Sequence, residues 1–213
     1  RKVEKEVADQ VREFKQEHKL RAISINPDTK RYYTYGNLAS QVIGFVGVDN
    51  EGLEGIEAYY DNTLTGKAGK IVTAKNAKGT SMSFQYEKYY DPEDGKSLVL
   101  TIDETIQHIL EKHLEQAIVD HYVENRGAAI AMDVNTGQIL AMAVTGGADL
   151  NNAWDLSDED NRLLEGLEGE EHTKKRTELQ LEQWRNKAVA DTYEPGSIFK
   201  LITTAIALEE DVI

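Results

Sequence analysis

The sequence predicts an α+β protein built in two parts, and three observations carry this prediction. Short helical and strand-like patterns alternate along the chain, with a glycine-punctuated stretch over 36–70. A Pro/Gly/Asp-rich break, DPEDGK at 91–96, interrupts them and marks the predicted domain boundary. After the break come an amphipathic helix, an apolar hairpin and a second apolar helix. We therefore predict one module over 1–95 and the beginning of another over 96–213.

Composition restricts the classes of function that fit this chain. The 213 residues are 40% hydrophobic, enough for a core, and carry a formal net charge of −14. That charge disfavours nucleic acid or an anionic membrane surface as the main partner, because both repel an acidic protein. The absence of cysteine excludes disulfides and thiolate metal sites. No apolar run is long enough to predict a membrane-spanning helix.

The first part is predicted to contain a helix followed by short elements. Apolar residues recur at helical spacing over 1–20, which indicates an amphipathic helix. RAISINPDTKRYYTYG (21–36) alternates as a β-strand does, around a Pro-Asp turn. A short helix is predicted over 55–64, and residues 70–90 alternate like a hairpin whose turn is Asn76–Gly79.

The second part begins with a predicted strand that leads into a helix. SLVLTID (97–103) is the strand, and Thr101 with Glu104 matches a T-x-x-E capping box at the start of the helix. The apolar positions after this box mark one predicted face of that helix. They are Ile102, Ile106, Ile109, Leu110, Leu114, Ala117 and Ile118.

An apolar hairpin and a charged segment come next. The strands RGAAIAMDV and QILAMAVT flank the turn Asn135-Thr136-Gly137, and both are apolar enough for a central position in a sheet. Residues 151–185 are acidic at first and then of mixed charge, with a helix predicted through KKRTELQLEQW. We predict that 151–185 form a surface excursion before the chain returns to the core.

The last stretch, DTYEPGSIFKLITTAIALEEDVI, contains the candidate catalytic residues. Ser197 and Lys200 are three positions apart, so a helix would place both side chains on one face. At the first turn, free backbone N–H groups and the helix dipole would stabilise negative charge on an attacked carbonyl oxygen. Apolar neighbours nearly all round would bury Lys200 in a complete domain, and burial disfavours the charged form of an amine. The neutral amine could then accept the proton of Ser197.

The same letters also fit an ordinary helix start. A serine N-cap can be followed by a lysine whose stem lies along an apolar surface. The apolar helix favours the catalytic interpretation, because a buried lysine is unfavourable without a role. We therefore predict Ser197 as nucleophile and Lys200 as its general base.

Five ordered stretches resemble the class B penicillin-binding proteins, the monofunctional D,D-transpeptidases that cross-link peptidoglycan. RYYTYGNLASQVIGFVG and GLEGIEAYYDNTLTGKAGK are similar to segments of that family's N-terminal module. LVLTIDETIQHILEKHL, AIAMDVNTGQILAMA and NKAVADTYEPGSIFK are similar to stretches that open its transpeptidase domain. The resemblance implies an elongated pedestal module of the dimerisation type over 1–95. It also implies that 96–213 form the N-terminal part of a transpeptidase domain with a serine β-lactamase-like fold.

The resemblance also implies the activity and the partners. Ser197 would attack the penultimate D-alanine carbonyl of a stem peptide, expel the terminal D-alanine and form an acyl-enzyme. Lys200 would take its proton, the Ser197 N–H would supply half of the oxyanion hole, and β-lactams would acylate the same serine. Implied partners are peptidoglycan stem peptides, β-lactam antibiotics and a membrane wall-polymerising glycosyltransferase. The implied location is the outer face of the bacterial cell membrane.

The family's other two active-site motifs, S-x-N and K-T/S-G, are expected well beyond the nucleophile helix. SIN at 24–26 fits the first by letter but precedes Ser197 in the other module, and no K-T-G or K-S-G occurs. We therefore expect a piece of a longer protein that is inactive without the C-terminal remainder of its transpeptidase domain. The last helix is then expected to expose apolar sides.

Two other functions fit parts of this pattern. A β-lactam sensor or hydrolase would share the serine chemistry but differ in the fate of the acyl-enzyme. A non-catalytic scaffold that recruits a wall-polymerising glycosyltransferase would need the first module alone.

Several other polar residues are predicted to be structural. Arg31 is expected to brace the N-terminal module through an ion pair. No cofactor or metal is predicted, since the histidines near the first helix of the second part lack the spacing of a ligand pair. The residues considered for such sites are His108, His113 and His121, and Glu51, Glu54 and Glu57.

Overall fold

The computed structural model describes residues 1–72, 88–124 and 126–212. Its helices are α1 (Lys5–Glu17), α2 (Ser40–Ile43), α3 (Gly55–Tyr59), α4 (Asp61–Leu64), α5 (Glu104–Asp120), α6 (Asp158–Arg162), α7 (Gly169–Trp184), α8 (Lys187–Ala190) and α9 (Lys200–Glu209). Its strands are β1 (Lys70–Val72), β2 (Lys88–Tyr90), β3 (Ala128–Met132) and β4 (Ile139–Val144). Two 3₁₀ turns lie at Leu150–Asn152 and Gly196–Phe199. This mixture confirms the predicted α+β class. Over the described ranges, none of the helices has both the length and the apolar character needed to cross a bilayer.

The first predicted helix is confirmed as α1, and the strand predicted after it is wrong. Residues 21–36 form no strand; they run as irregular chain into a series of turns. The reason is that backbone groups in this stretch hydrogen-bond to side chains and within turns, and not to a neighbouring strand. Tyr33 N–H, for example, donates to the Asn151 side chain.

The short helix predicted over 55–64 is present as two pieces, α3 and α4. A close backbone approach at Gly44 positions them. Gly44 has φ +73°, and a Cβ there would lie 1.8 Å from the Glu54 carbonyl oxygen. Leu53 N–H donates to Phe45 O at 2.9 Å beside this contact. Only glycine fits at Gly44, because it alone combines a left-handed backbone with the missing side chain.

Strands β1 and β2 pair antiparallel, with Lys70 opposite Tyr90, as the hairpin prediction requires. The predicted turn at Asn76–Gly79 lies outside the described residues. The break at 91–96 folds back on the residues that follow α4. There Lys67 and Glu93 exchange two backbone hydrogen bonds of 2.7 and 2.9 Å.

The strand and the capping box predicted at the start of the second part are both wrong. Residues 97–100 form no strand, and Val99 is 98% exposed. Thr101 donates through Oγ1 to Ile139 O at 2.6 Å, so its hydroxyl is used by the hairpin. Asp103 caps the helix instead, because its carboxylate accepts from Ile106 N–H at 2.9 Å.

Helix α5 packs on β4 through a polar residue. Gln107 is fully buried, whereas Ile106 and Ile109 of the predicted apolar face are 36% and 50% exposed. The Gln107 amide donates to Met142 O and accepts from Met142 N–H, both at 2.8 Å. The side chain thereby takes the place of a neighbouring strand along the free edge of β4.

The hairpin predicted around Asn135-Thr136-Gly137 is confirmed as β3 and β4, with Ala128 opposite Val144. The central position in a sheet expected for its strands is not found in the described residues, because β3 and β4 form a two-stranded sheet. β4 is nonetheless covered, with Ala141 and Ala143 0% and 2% exposed, whereas β3 alternates between exposed and half-buried residues. In the described part of the chain, no other strand pairs with this hairpin.

An aromatic cluster joins the two parts of the chain. Phe45 from the first part is 2% exposed, and its ring centroid lies 4.9 Å from that of Trp184. Trp154 packs edge-on against Trp184 at 4.8 Å. Trp184 Nε1 donates to Ala153 O at 2.7 Å. Residues 151–185, which include α7, therefore contact the first part through a buried inner side.

Candidate active site

Ser197 lies in the 3₁₀ turn that leads into α9, and Lys200 is the first residue of that helix. Gly196 before the serine has φ +53°, a conformation that glycine adopts without strain. Ile198 N–H donates to Pro195 O at 3.1 Å and closes the turn. Ser197 and Lys200 thus lie at the start of one helix, three positions apart.

The backbone at Ser197 has a free donor. In the part of the chain that the structure describes, no acceptor is bonded to the Ser197 N–H. A helix start leaves such groups unpaired, and they can stabilise a negative oxygen. The predicted nucleophile and a free backbone donor therefore belong to the same residue.

The surroundings of the pair are open. Apolar side chains around the serine and along α9 are each more than half exposed: Ile198, Phe199, Leu201, Ile202, Ile206 and Leu208. Ser197 and Lys200 are exposed too, and within the described ranges they share no hydrogen bond. The last helix therefore exposes its apolar sides, as the sequence predicts.

Helix α8 carries the chain from the excursion to the serine turn. Asn186 caps it by accepting from Ala188 N–H at 3.1 Å, and Lys187 donates to Thr145 O at 3.4 Å. A cleft of about 530 Å³ lies between α8, β3 and the serine turn, and Ala128, Lys187 and Ile198 are among its lining residues. The sequence predicts no role for Asn186 and Lys187, although an asparagine just before a helix is a common N-cap.

The predicted bracing ion pair of the first part is confirmed. Arg31 Nε lies 2.7 Å from Glu57 Oε1, and the Glu57 side chain is only 5% exposed. Tyr33 packs beside this pair and accepts from Val46 N–H at 3.0 Å. Burial, followed by the nearby charge of Glu57, raises the pKa of Tyr33 to about 12.

Polar contacts connect Tyr33 to the second part. Asn151 lies in the 3₁₀ turn after β4, and its amide bonds to both polar groups of the Tyr33 backbone. Asp149 accepts from Asn151 N–H at 3.0 Å, and this hydrogen bond lowers the pKa of Asp149. Nearby, Tyr35 OH donates to Glu104 Oε2 at 2.9 Å, which raises the pKa of Tyr35.

The other polar candidates do not assemble into a site. Across the described ranges, no group of three histidine, aspartate or glutamate side chains is placed to hold a metal ion. A cavity of about 790 Å³ lies between α4, the 29–31 segment and 95–100. Its walls carry both charged and apolar side chains, and neither Ser197 nor Lys200 reaches it.

Two protein-family models match successive stretches of the chain. Residues 1–100 match the family model of the penicillin-binding protein dimerisation domain, and residues 127–213 match that of the penicillin-binding protein transpeptidase domain. Stage V sporulation protein D of Bacillus subtilis is 34% identical over 99% of this chain and 28% of its own length. The chain belongs to the class B penicillin-binding proteins. The peptidoglycan D,D-transpeptidase FtsI of Escherichia coli K12 is 31% identical over the whole chain and 31% of its own length.

A solved structure of this family has the same fold. The penicillin-binding protein PBP2 of Helicobacter pylori, solved in complex with MreC, is similar with a TM-score of 0.63 and 25% identity. The similarity covers 95% of this class B chain and 37% of that one. The chain spans about a third of the length of the curated relatives it matches.

Proposed function

We propose that this chain supplies the nucleophile of a peptidoglycan D,D-transpeptidase. The observation that carries the proposal is the placement of Ser197, with its free N–H, and Lys200 at the start of α9. Both lie inside the stretch that matches the transpeptidase family model. The S-x-N and K-T/S-G motifs would come from sequence beyond Ile213.

The reaction can be built from these groups. The neutral amine of Lys200 accepts the proton of Ser197 Oγ, and Oγ attacks the penultimate D-alanine carbonyl carbon. The Ser197 N–H donates to the oxyanion of the tetrahedral intermediate. Collapse of the intermediate breaks the peptide bond, and the proton goes to the departing D-alanine amine. The amine of a second stem peptide then displaces Ser197 and forms the cross-link.

A β-lactam would follow the same steps as far as the acyl-enzyme, but not the transfer to a second stem peptide. Attack by Ser197 Oγ opens the ring, and the former leaving amine stays attached to the acyl group. The acyl-enzyme therefore keeps its leaving group in the site and turns over slowly. A hydrolase would release it with water, whereas a scaffold with a vestigial serine would never form it.

The two parts of the chain are proposed to differ in task. Residues 1–95 would form a pedestal and 96–213 the start of the catalytic domain, with 151–185 as its excursion. The protein would act on the outer face of the bacterial cell membrane, anchored by sequence outside this chain. Its partners would include a wall-polymerising glycosyltransferase, and the complex of the Helicobacter pylori relative with MreC supports protein binding in this family.

Labelling with a fluorescent penicillin tests the proposal on the full-length protein. We expect a covalent label on the wild type that Ser197→Ala removes and Ser24→Ala retains. Ser24 is the matched control because it is exposed and opens the SIN tripeptide. Slow loss of label would identify a transpeptidase, and rapid loss would identify a hydrolase. A folded wild-type protein without label on Ser197 would overturn the proposal.

A further inference from the structure

The buried carboxylate of Asp191 lies six positions before Ser197. Its side chain is only 8% exposed, although it ends the short helix α8 next to the serine turn. Arg126 donates through Nη1 to Asp191 Oδ2. On the other side, Arg185 Nη2 lies 2.5 Å from Asp191 Oδ1. This second contact is an ion pair without hydrogen-bond alignment.

The two arginines belong to different elements. Arg126 lies two positions before β3, and Arg185 comes directly after the last residue of α7. Arg185 also donates to Ala190 O at 3.2 Å, which holds the residue before Asp191. One carboxylate therefore connects the sheet, the excursion helix and the end of α8.

Burial of the Asp191 carboxylate between two arginines fixes the position of the side chain more than it stabilises the fold. A buried carboxylate loses hydration, and its ion pairs offset that loss without a large net gain. Removing one partner, in contrast, leaves a buried charge uncompensated. The position of Asp191 is thus strongly determined by Arg126 and Arg185.

The chain between Asp191 and the serine has few other restraints. Residues 192–195 are exposed, and in the described part of the chain their one hydrogen bond is that from Ile198 N–H to Pro195 O. Asp191, Tyr193 and Ile198 line the same cleft beside β3. The ion pairs of Asp191 are therefore the last side-chain contacts that restrain the backbone before Ser197.

We infer that Asp191, held by Arg126 and Arg185, is a positioning residue for Ser197. It acts through the backbone of 192–196, by setting where the 3₁₀ turn and its free N–H stand relative to the β3–β4 sheet. It does not touch the substrate. This inference rests on the proposed function, because its effect is on acylation of Ser197.

The test measures acylation of the full-length protein by fluorescent penicillin as a function of penicillin concentration. Asp191→Asn keeps the shape of the side chain and removes its charge. We expect the limiting acylation rate to fall about tenfold or more, since small displacements of reacting groups have large effects on rate. The half-saturating concentration should stay unchanged. Glu57→Gln is the matched control, because Glu57 is an equally buried carboxylate paired with one arginine far from Ser197 in sequence.

Each outcome decides the inference. A slower limiting rate in Asp191→Asn but not in Glu57→Gln, at equal losses in melting temperature, supports positioning. An unchanged rate in folded Asp191→Asn overturns it, as does an equal slowing in both variants. If Asp191→Asn does not fold, Arg126→Lys and Arg185→Lys take its place, and wild-type rates in both overturn the inference. Absence of label on wild-type Ser197 would instead contradict the proposed function.

Discussion

The side-chain amide of Asn151 binds the backbone of Tyr33 at two points. Nδ2 donates to Tyr33 O at 2.9 Å, and Oδ1 accepts from Tyr33 N–H at 3.0 Å. Asn151 belongs to the stretch that matches the transpeptidase model, and Tyr33 to the stretch that matches the dimerisation model. A single side chain thus satisfies both polar groups of one residue across the junction.

Asn151→Ala tests this junction. It leaves the half-buried Tyr33 N–H without its acceptor and removes one of two donors to Tyr33 O, which still accepts from Gly36 N–H. We therefore expect a loss of about 1–3 kcal/mol in unfolding free energy. Thermal unfolding of the full-length protein measures it. Asn152→Ala is the matched control, because Asn152 is exposed and its side-chain amide donates to Asp149 Oδ2. Equal shifts in the two variants would contradict the role of Asn151.

The buried amide of Gln107 makes a second stability prediction. Gln107→Leu leaves the Met142 N–H and C=O unpaired in a fully buried site, and we expect a loss of about 2 kcal/mol or more. Urea unfolding followed by circular dichroism measures it. Gln116→Leu on the exposed side of α5 should change stability little. A Gln107→Leu protein as stable as the wild type would disprove the strand-like role of the amide.

Two glycines allow the stability lost to a close backbone contact to be measured separately from the stability lost to a left-handed backbone. Gly44 and Gly137 have φ +73° and +74°, but a Cβ meets Glu54 O at 1.8 Å in the first and nothing within 4 Å in the second. Gly137→Ala should lose about 1 kcal/mol from the left-handed backbone alone. Gly44→Ala should lose about 3 kcal/mol or more, because the contact must open. Unfolding midpoints compare them, and equal losses would argue against the contact.

Ionisation of Tyr33 should make stability depend on pH in the alkaline range. Its folded-state pKa of about 12 lies above the ordinary value of 10.0, so the folded state retains its proton longer. The contribution is complete below pH 10 and is lost as pH rises towards 12. Melting temperatures of wild type and Tyr33→Phe should therefore converge over this window. Tyr32→Phe is the control, since Tyr32 is 73% exposed; parallel profiles for wild type and Tyr33→Phe would refute the assignment.

The proposed role of Lys200 as general base predicts that a positive charge at this position is not sufficient for acylation of Ser197. Lys200→Arg keeps a positive group but cannot supply a neutral amine at ordinary pH. Acylation by fluorescent penicillin should fall at least about 100-fold in the full-length protein. Lys174→Arg, an exposed lysine on α7, should label as the wild type does. Normal labelling of Lys200→Arg would remove the lysine from the proposed mechanism.

Sequence by itself determined the parts that depend on neighbouring residues. The sequence pattern predicts that α1, α5 and the β3–β4 hairpin form, because periodicity and turn residues depend on neighbours along the chain. The order of five similar stretches predicts the family. Ser197 and Lys200 could be singled out for the same reason, since a turn followed by an apolar helix is a local pattern.

Only the tertiary structure decided the parts that need distant partners. Residues 21–36 alternate like a strand and 97–100 are predicted to be one, but neither forms a strand, because a strand requires a neighbour to which it can hydrogen-bond. The burial of Gln107 and the pairing of Asp191 with two arginines are also invisible to periodicity. A buried polar group is stable only when other parts of the fold supply its hydrogen-bond or ion-pair partners. The spacing of residues along the chain does not show which residues those partners are.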